Sequence, residues 1–308
     1  MAMGPDGSVT IDSLRSGHPV SPKQPVTAGT AFAAAPVRRK QQDKAARLYD
    51  EEIHPLFGQR FADMLMAAAE IEPRSAVLEV GCAAGAITAQ IAHRLDAESR
   101  VVAVDASAPL LELARARVRD QEHAGRRVFF RTHPLGTKLP FAEETFETVL
   151  ANVSDAPLPT LMLGDYARVT KKGGQLVVAA PLRGTWLEFL DIFREVLVQA
   201  GRNEALGALD AYVATLPEAD SVAEMLEDLG LAKVEIEVEH WELVFRSARE
   251  FFYAPVIEHG PLNQWKEIVG REVLHETFLA IKDSIDTYFA GRAFAVSVFG
   301  GRFACRKP

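Results

Sequence analysis

Between residues 76 and 180, short apolar runs rich in β-branched residues alternate with amphipathic helical patterns. This alternation constrains the fold more than any other feature of the sequence. Strands that alternate with helices form right-handed βαβ units, which build a parallel sheet with helices on both faces. The strands predicted in this part of the chain are 76–80, 101–104, 128–131, 148–151 and 175–180.

The last 120 or so residues follow a different pattern. Helical patterns occupy residues 185–230 and 248–290, and each is followed by a β pattern, first Val234 to Phe245 and then Phe294 to Cys305. We expect the last two strands to pair antiparallel at one edge of the sheet. The sequence therefore predicts an α/β fold: a doubly wound, mostly parallel, seven-stranded sheet with an antiparallel edge and helical insertions that form a lid or an interface.

Composition excludes several classes of protein. The chain has 308 residues, of which 48% are hydrophobic, and a net charge of −8, which argues against general affinity for nucleic acid or anionic lipid. No apolar run reaches the roughly 18 residues that a membrane span needs. The start also lacks the layout of a secretion signal, so we expect a cytoplasmic protein. Because Cys82 and Cys305 are the only cysteines, neither a disulfide framework nor a metal site is expected.

The N-terminal segment differs from the rest of the chain in composition. Up to about Pro36 it is rich in Ala, Gly, Ser, Pro and Thr, and its apolar residues follow no regular period. We expect residues 1–44 to form a flexible tail and residues 45–308 to form one domain.

The segment from Leu78 to Gly85 is the strongest indication of a ligand site. It joins a predicted strand to a helix, at the edge where open parallel sheets bind ligands with their loops and helix N-termini. Its small residues let a ligand approach the main chain closely. Asp105 ends the next strand, 24 residues after Gly81, where a carboxylate can accept hydrogen bonds from both ribose hydroxyls. These features predict a nucleoside ligand.

Two kinds of nucleoside ligand are possible. A dinucleotide fingerprint would place glycines at positions 81, 83 and 86, but two of these are Ala83 and Ala86. The spacing acidic-x-G-x-G-x-G keeps Glu79, Gly81 and Gly85 and lacks only the middle glycine. Here the chain resembles the class I S-adenosylmethionine-dependent methyltransferases, in particular the small-molecule group that includes ubiquinone/menaquinone-pathway and malonyl-carrier-protein methyltransferases.

The resemblance extends from about Leu48 to Ala180 and implies a seven-stranded, Rossmann-like methyltransferase fold with S-adenosylmethionine as cofactor. It rests on the Tyr49-Asp50 pair of a cap helix, on VLEVGCAAG, on the LPF run from Leu139 and on RVTKKGG from Arg168. It implies cofactor contacts from the following residues: Tyr49, Glu79, Gly81, Cys82, Ala83, Gly85, Asp105, Ala106, Ser107 and Asn152. Asn152 follows the fourth strand, where the reacting methyl group lies in that family. Asn152 and His133 are the catalytic candidates.

The chain departs from the family pattern at two positions. Ala83 adds a methyl group at the middle glycine, which costs about 1 kcal/mol if its φ is positive. Leu135 stands where the family has an acid that accepts from the adenine amino group. These departures leave an alternative open, a catalytically silent methyltransferase-fold protein that binds a protein partner.

The function that the sequence favours is methyl transfer to a small, rather apolar molecule. The helices at 185–215 and 248–289 are rich in Leu, Phe, Val and Ile. They would cover the ligand edge of the sheet and give an apolar acceptor site. The same faces could instead form a homodimer interface or hold a protein partner.

Overall fold

The computed structural model describes residues 36–119, 124–154, 158 and 160–308. Residues 1–35 of the expected tail lie outside this range. The tail prediction differs from the structure over residues 36–44, because helix α1 covers Pro36–Leu48. A helix therefore begins before residue 45, where the sequence analysis expected the tail to end.

Seven strands form one sheet in the order β3-β2-β1-β4-β5-β7-β6. The first five strands are parallel, and β7 lies antiparallel between β5 and β6. This arrangement confirms the predicted doubly wound fold and its antiparallel edge. The strand bounds are β1 Ala76–Val80, β2 Arg100–Asp105, β3 Val128–Thr132, β4 Phe146–Asn152, β5 Thr170–Pro181, β6 Ala232–Phe245 and β7 Phe294–Arg306.

Helices cover both faces of this sheet. Those of the first half connect the parallel strands, and those of the second half precede or join the two antiparallel strands. Their bounds are α2 Gln59–Ala68, α3 Ala86–Arg94, α4 Ala108–Val118, α5 Ala124–Arg127, α6 Leu163–Val169, α7 Leu187–Gln199, α8 Asn203–Ala214, α9 Ala219–Asp228, α10 Ala248–Tyr253, α11 Pro255–Glu258, α12 Leu262–Val269 and α13 Leu274–Phe289.

Helices α1 and α2 are joined by a π-helix, Tyr49–Gly58, which we call the π-helical segment. Pro55 lies inside it and has no N–H for the helical ladder, so a helix can pass through this residue only with altered bonding. A π turn is wider than an α turn and occurs frequently at functional sites. The chain therefore continues as a helix through Pro55.

Most of the C-terminal helices share one hydrophobic core with the sheet. Trp265 of α12 is fully buried and stacks on Phe189 of α7, with ring centroids 4.1 Å apart. Phe251 of α10 stacks on the same indole at 6.1 Å. Because a buried aromatic ring removes a large apolar area from water, these helices are fixed on the sheet rather than loosely attached.

Helix α9 belongs to the other face of the sheet. Val222 and Leu226 are fully buried there, in the cluster that contains Leu176 and Val178 of β5. Of the predicted insertion at 185–230, α7 and α8 therefore lie with the other C-terminal helices, whereas α9 packs on the opposite face, against β6 and β7.

Candidate active site

The loop between β1 and α3, residues 81–85, is shaped by two glycines and is called the glycine loop below. Gly81 has φ +74° and Gly85 has φ +79°. A side chain at position 81 would collide with the backbone oxygen of Asn152, and one at position 85 would lie 2.7 Å from the Cβ of Ala114. Both positions therefore require glycine, for conformation and for space.

Ala83, at the middle position of the motif, also has a positive φ, of +45°. An L-residue in this region costs roughly 1–2 kcal/mol. The expected strain is therefore present. The backbone N–H of Ala83 donates to Asp105 Oδ2 at 2.9 Å, which helps to hold the loop in this conformation.

Asp105 ends β2 and ties this strand to the glycine loop. Its second oxygen, Oδ1, accepts from the Ser107 N–H at 2.8 Å, and Ser107 in turn is the N-cap of α4. The side chain is buried, and this burial raises the pKa of Asp105. Ala106 beside it is exposed. The structure thus places Asp105, Ala106 and Ser107 together at the ligand edge of the sheet.

Glu79 is a buried acid directly below the glycine loop. Thr88 Oγ1 of α3 donates to its Oε2 at 2.6 Å. Within the described part of the chain, its other oxygen, Oε1, has no hydrogen-bond partner. Burial, with a smaller contribution from the charge of Asp105, raises the pKa of Glu79 to about 8. The carboxyl group is therefore mostly protonated at neutral pH, and a cation close to Oε1 would favour its charged form.

A small cavity of about 10 Å³, here called the loop cavity, lies between the glycine loop and the π-helical segment. That volume holds about one water molecule. Asn152 lies on its wall, as do three of the predicted loop residues, Gly81, Cys82 and Ala83, whereas Gly85 does not. The full lining is Asp50, His54, Gly81, Cys82, Ala83, Ala84, Ala86, Ile87, Arg117 and Asn152.

His54 and Arg117 are residues of this site that the sequence analysis missed. The Nε2 atom of His54 is buried without a partner among the described residues. Burial lowers the pKa of His54 and outweighs the opposite effect of Asp50. Asp50 directly follows Tyr49 and is four residues before His54, so their helical spacing could have indicated a shared face. Arg117 carries no such signal.

A second, larger cavity of about 100 Å³ lies on the other side of the π-helical segment and is called the apolar cavity. Phe57 and Trp186 stack in its wall with ring centroids 5.6 Å apart. No acidic residue, lysine or arginine of the described chain lines it. Its lining is Tyr49, Ile53, Phe57, Ser154, Pro181, Trp186, Tyr212, Leu216, Val256, His259, Gly260, Pro261 and Gln264.

Three predicted site residues have surroundings that the sequence did not indicate. Tyr49 lines the apolar cavity and not the loop cavity. His133 Nε2 lies 3.1 Å from Thr137 Oγ1 within an exposed turn, and His133 is not on the wall of either cavity. The structure thus does not bring this catalytic candidate to Asn152. The Cys82 side chain is buried against Leu111 and Ala103, and burial raises the pKa of its thiol.

Comparison with known proteins assigns this arrangement to a family. A family model described as "Methyltransferase domain" matches residues 77–174, which contain the glycine loop, Asp105 and Asn152. The demethylmenaquinone methyltransferase of Renibacterium salmoninarum is 28% identical over 221 residues, which cover 63% of this chain and 86% of the relative. Residues 77–174 form a methyltransferase domain, and the protein is an S-adenosylmethionine-dependent methyltransferase.

Other relatives agree with this assignment. The demethylmenaquinone methyltransferase of Streptomyces griseus subsp. griseus is 33% identical over 32% of this methyltransferase and 48% of the relative. The YcgJ protein of Bacillus subtilis has a TM-score of 0.51 at 15% identity, covering 81% of this chain and 98% of that chain. The structural similarity to YcgJ shows a shared fold. The alternative of a catalytically silent protein finds no support among the proteins compared.

The cofactor of this methyltransferase is S-adenosylmethionine, and the residues of the glycine loop fit it. This cofactor is cationic at its sulfonium and at its ammonium group. A buried acid with an unpaired oxygen, Glu79 Oε1, is suited to a cationic ligand. Because Gly81 and Gly85 have no side chains, a ligand can contact the main chain of the loop directly. No group of acidic, histidine or cysteine side chains in the described residues could hold a metal ion.

Among the described residues, no helix has the length and apolar character that crossing a membrane requires.

Proposed function

We propose that this methyltransferase methylates a small, largely apolar, ring-containing acceptor that binds in the apolar cavity. The observation that carries the proposal is an uncharged, aromatic cavity that shares the π-helical segment as a wall with the loop cavity. An engineered cavity of comparable size, about 150 Å³, binds benzene. The printed names of the relatives support the same class, since several are demethylmenaquinone or ubiquinone/menaquinone methyltransferases.

In this proposal, the cofactor binds along the glycine loop. The backbone of Gly81, Ala83 and Gly85 would contact its methionine part, and Glu79 would stabilise its positive charge from below. Asp105 would accept hydrogen bonds from the ribose, with Ala106 and Ser107 beside the adenine. When bound, the cofactor supplies an electrophilic methyl group on a sulfonium.

The protein's own residues would mainly orient the acceptor and exclude water. Methyl transfer by in-line displacement depends chiefly on holding the two reacting atoms in line. Trp186, Phe57 and Ile53 would hold the acceptor ring, and Tyr49, on the wall of the same cavity, would limit its depth. Asn152 lies on the wall of the loop cavity, and its Oδ1 accepts from the backbone N–H of Ser154, a residue of the apolar cavity, at 3.3 Å.

His259 would accept a proton if the acceptor is a phenol or a carbon acid. It is the only histidine on the wall of the apolar cavity within the described chain, and an imidazole is a suitable general base. Its side chain is also exposed, so the proton could pass on to solvent. This proposal replaces His133, which lies away from the cavity, as the candidate base.

Calorimetry with S-adenosylhomocysteine tests the cofactor site, and transfer of a labelled methyl group to phenols and naphthoquinols tests the acceptor class. We expect Asp105→Ala to weaken binding of S-adenosylhomocysteine by about 1–3 kcal/mol, because ribose hydroxyls lose their acceptor. Absence of binding to the wild type at ~1 mM, an affinity of about 4 kcal/mol, would refute the proposed site. Labelling of charged, ring-free acceptors alone would refute the acceptor class.

Two further predictions belong to this proposal. The bacterial relatives and the two buried free thiols, Cys82 and Cys305, support a cytoplasmic location. A homodimer, or a protein partner that binds the C-terminal helices, stays a prediction. Light scattering on the purified chain would measure the oligomeric state.

A further inference from the structure

Arg117 of α4 connects the two walls of the loop cavity. One guanidinium nitrogen, Nη1, donates to the backbone oxygen of Ala84 in the glycine loop at 2.7 Å. The other, Nη2, donates to both carboxylate oxygens of Asp50 in the π-helical segment, at 2.8 Å each. Asp50 and Arg117 are 67 residues apart in the sequence, so this contact exists only in the folded protein. We call these contacts the Arg117 clamp.

The clamp differs from the ordinary surface ion pairs of this protein. Its side chains are 34% and 18% exposed, whereas those of Arg74 and Glu98 are 77% and 64% exposed. A guanidinium that binds a carboxylate and a carbonyl at once has a fixed geometry and is worth more than a solvated pair. The Arg117 clamp therefore stabilises one position of the π-helical segment relative to the glycine loop.

The Arg117 clamp lies where it can limit the space for a ligand beside the glycine loop. Asp50, His54 and Arg117 together form the side of the loop cavity that faces the glycine loop. With the clamp closed, that cavity holds about one water molecule, far less than an amino-acid group needs. Movement of the π-helical segment away from α4 would open room for a larger ligand group beside residues 82–84.

We propose that Arg117 is a positioning residue of the cofactor site, which clamps the π-helical segment over the glycine loop and so sets how fast the cofactor enters and leaves. This inference rests on the proposed function, because it takes the glycine loop as the place of the methionine part. Neither Arg117 nor Asp50 needs to touch the reacting methyl group for this role. His54, whose Nε2 has no partner among the described residues, lies within the moving wall.

Stopped-flow binding of S-adenosylhomocysteine to the full chain tests the inference without an acceptor. We expect Arg117→Gln and Asp50→Asn each to raise the dissociation rate about tenfold and to raise the association rate as well. Because both substitutions break the same contact, the double variant should show about the same rates as either single variant. Arg74→Gln, which breaks an exposed pair far more accessible to solvent, is the matched control and should change neither rate.

Hydrogen exchange separates a local effect from general loss of structure. In both variants, amides of residues 49–58 should exchange faster, while those of β1 and β4 should be unchanged. Rates within twofold of the wild type, or additive effects in the double variant, would overturn the role of Arg117. If the wild type itself does not bind S-adenosylhomocysteine, the proposed function fails, whatever the variants do.

Discussion

The buried acid Glu79 makes the stability of this protein depend on pH in a predictable direction. Its pKa is about 8 in the folded protein against a reference value of 4.5. The folded state therefore binds the proton more tightly than the unfolded chain. The stabilisation is fully present below pH 4.5 and is lost as the pH rises to about 8, where the carboxylate becomes charged without a partner for Oε1. At about 1.4 kcal/mol for each pH unit, the loss amounts to at most about 5 kcal/mol.

Glu79→Gln removes this titration and keeps the shape of the side chain. We expect the difference in unfolding free energy, variant minus wild type, to increase by about 3–5 kcal/mol between pH 5 and pH 8.5. Urea denaturation of both proteins across this pH range measures this difference. The contributions of other titrating groups are the same in both proteins and cancel. Glu98→Gln, on the exposed surface, is the control and should give a flat line. A flat line for Glu79→Gln would refute the assignment of a protonated buried acid.

Cofactor binding should also change the protonation of Glu79. A carboxyl group with a pKa of about 8 is ~90% protonated at pH 7, and a nearby cation would lower that pKa. Binding of S-adenosylhomocysteine, which keeps the ammonium group, should therefore release up to ~0.9 proton at pH 7. Calorimetry in buffers of different ionisation enthalpy counts the released protons. Glu79→Gln should release none.

Two other substitutions test the glycine loop and the apolar cavity. Ala83→Gly relieves a positive φ at the cost of greater freedom in the unfolded chain, so we expect a net stabilisation of about 0.5 kcal/mol, measured by thermal unfolding. A destabilised variant would show that the left-handed conformation carries no strain. His259→Asn should lower kcat for a phenolic acceptor by 10²-fold or more and leave the affinity for S-adenosylhomocysteine unchanged. An unchanged pH–rate profile in this variant would exclude His259 as the base.

The sequence by itself determined the order of the elements and the place of the ligand edge. Each βαβ unit has a local signature, because the apolar period changes from strand to helix within some ten residues. Gly81, Gly85 and Asp105 could also be predicted, since a loop after β1 and an acid at the end of β2 reach the same edge of any parallel sheet. The strain at Ala83 followed from the same motif.

Only the tertiary structure decided what surrounds that edge. The π-helical segment turns Tyr49 toward the apolar cavity and Asp50 toward Arg117, and a wider helical turn at Pro55 is not visible in a sequence period. His133 bonds to its own turn, whereas His259 reaches the cavity from the turn after α11, more than 120 residues later. The positions of these side chains depend on long-range packing of aromatic residues, such as the stacking of Trp265 on Phe189. Local propensity carries no information about such contacts, because they form only when distant helices close on the sheet.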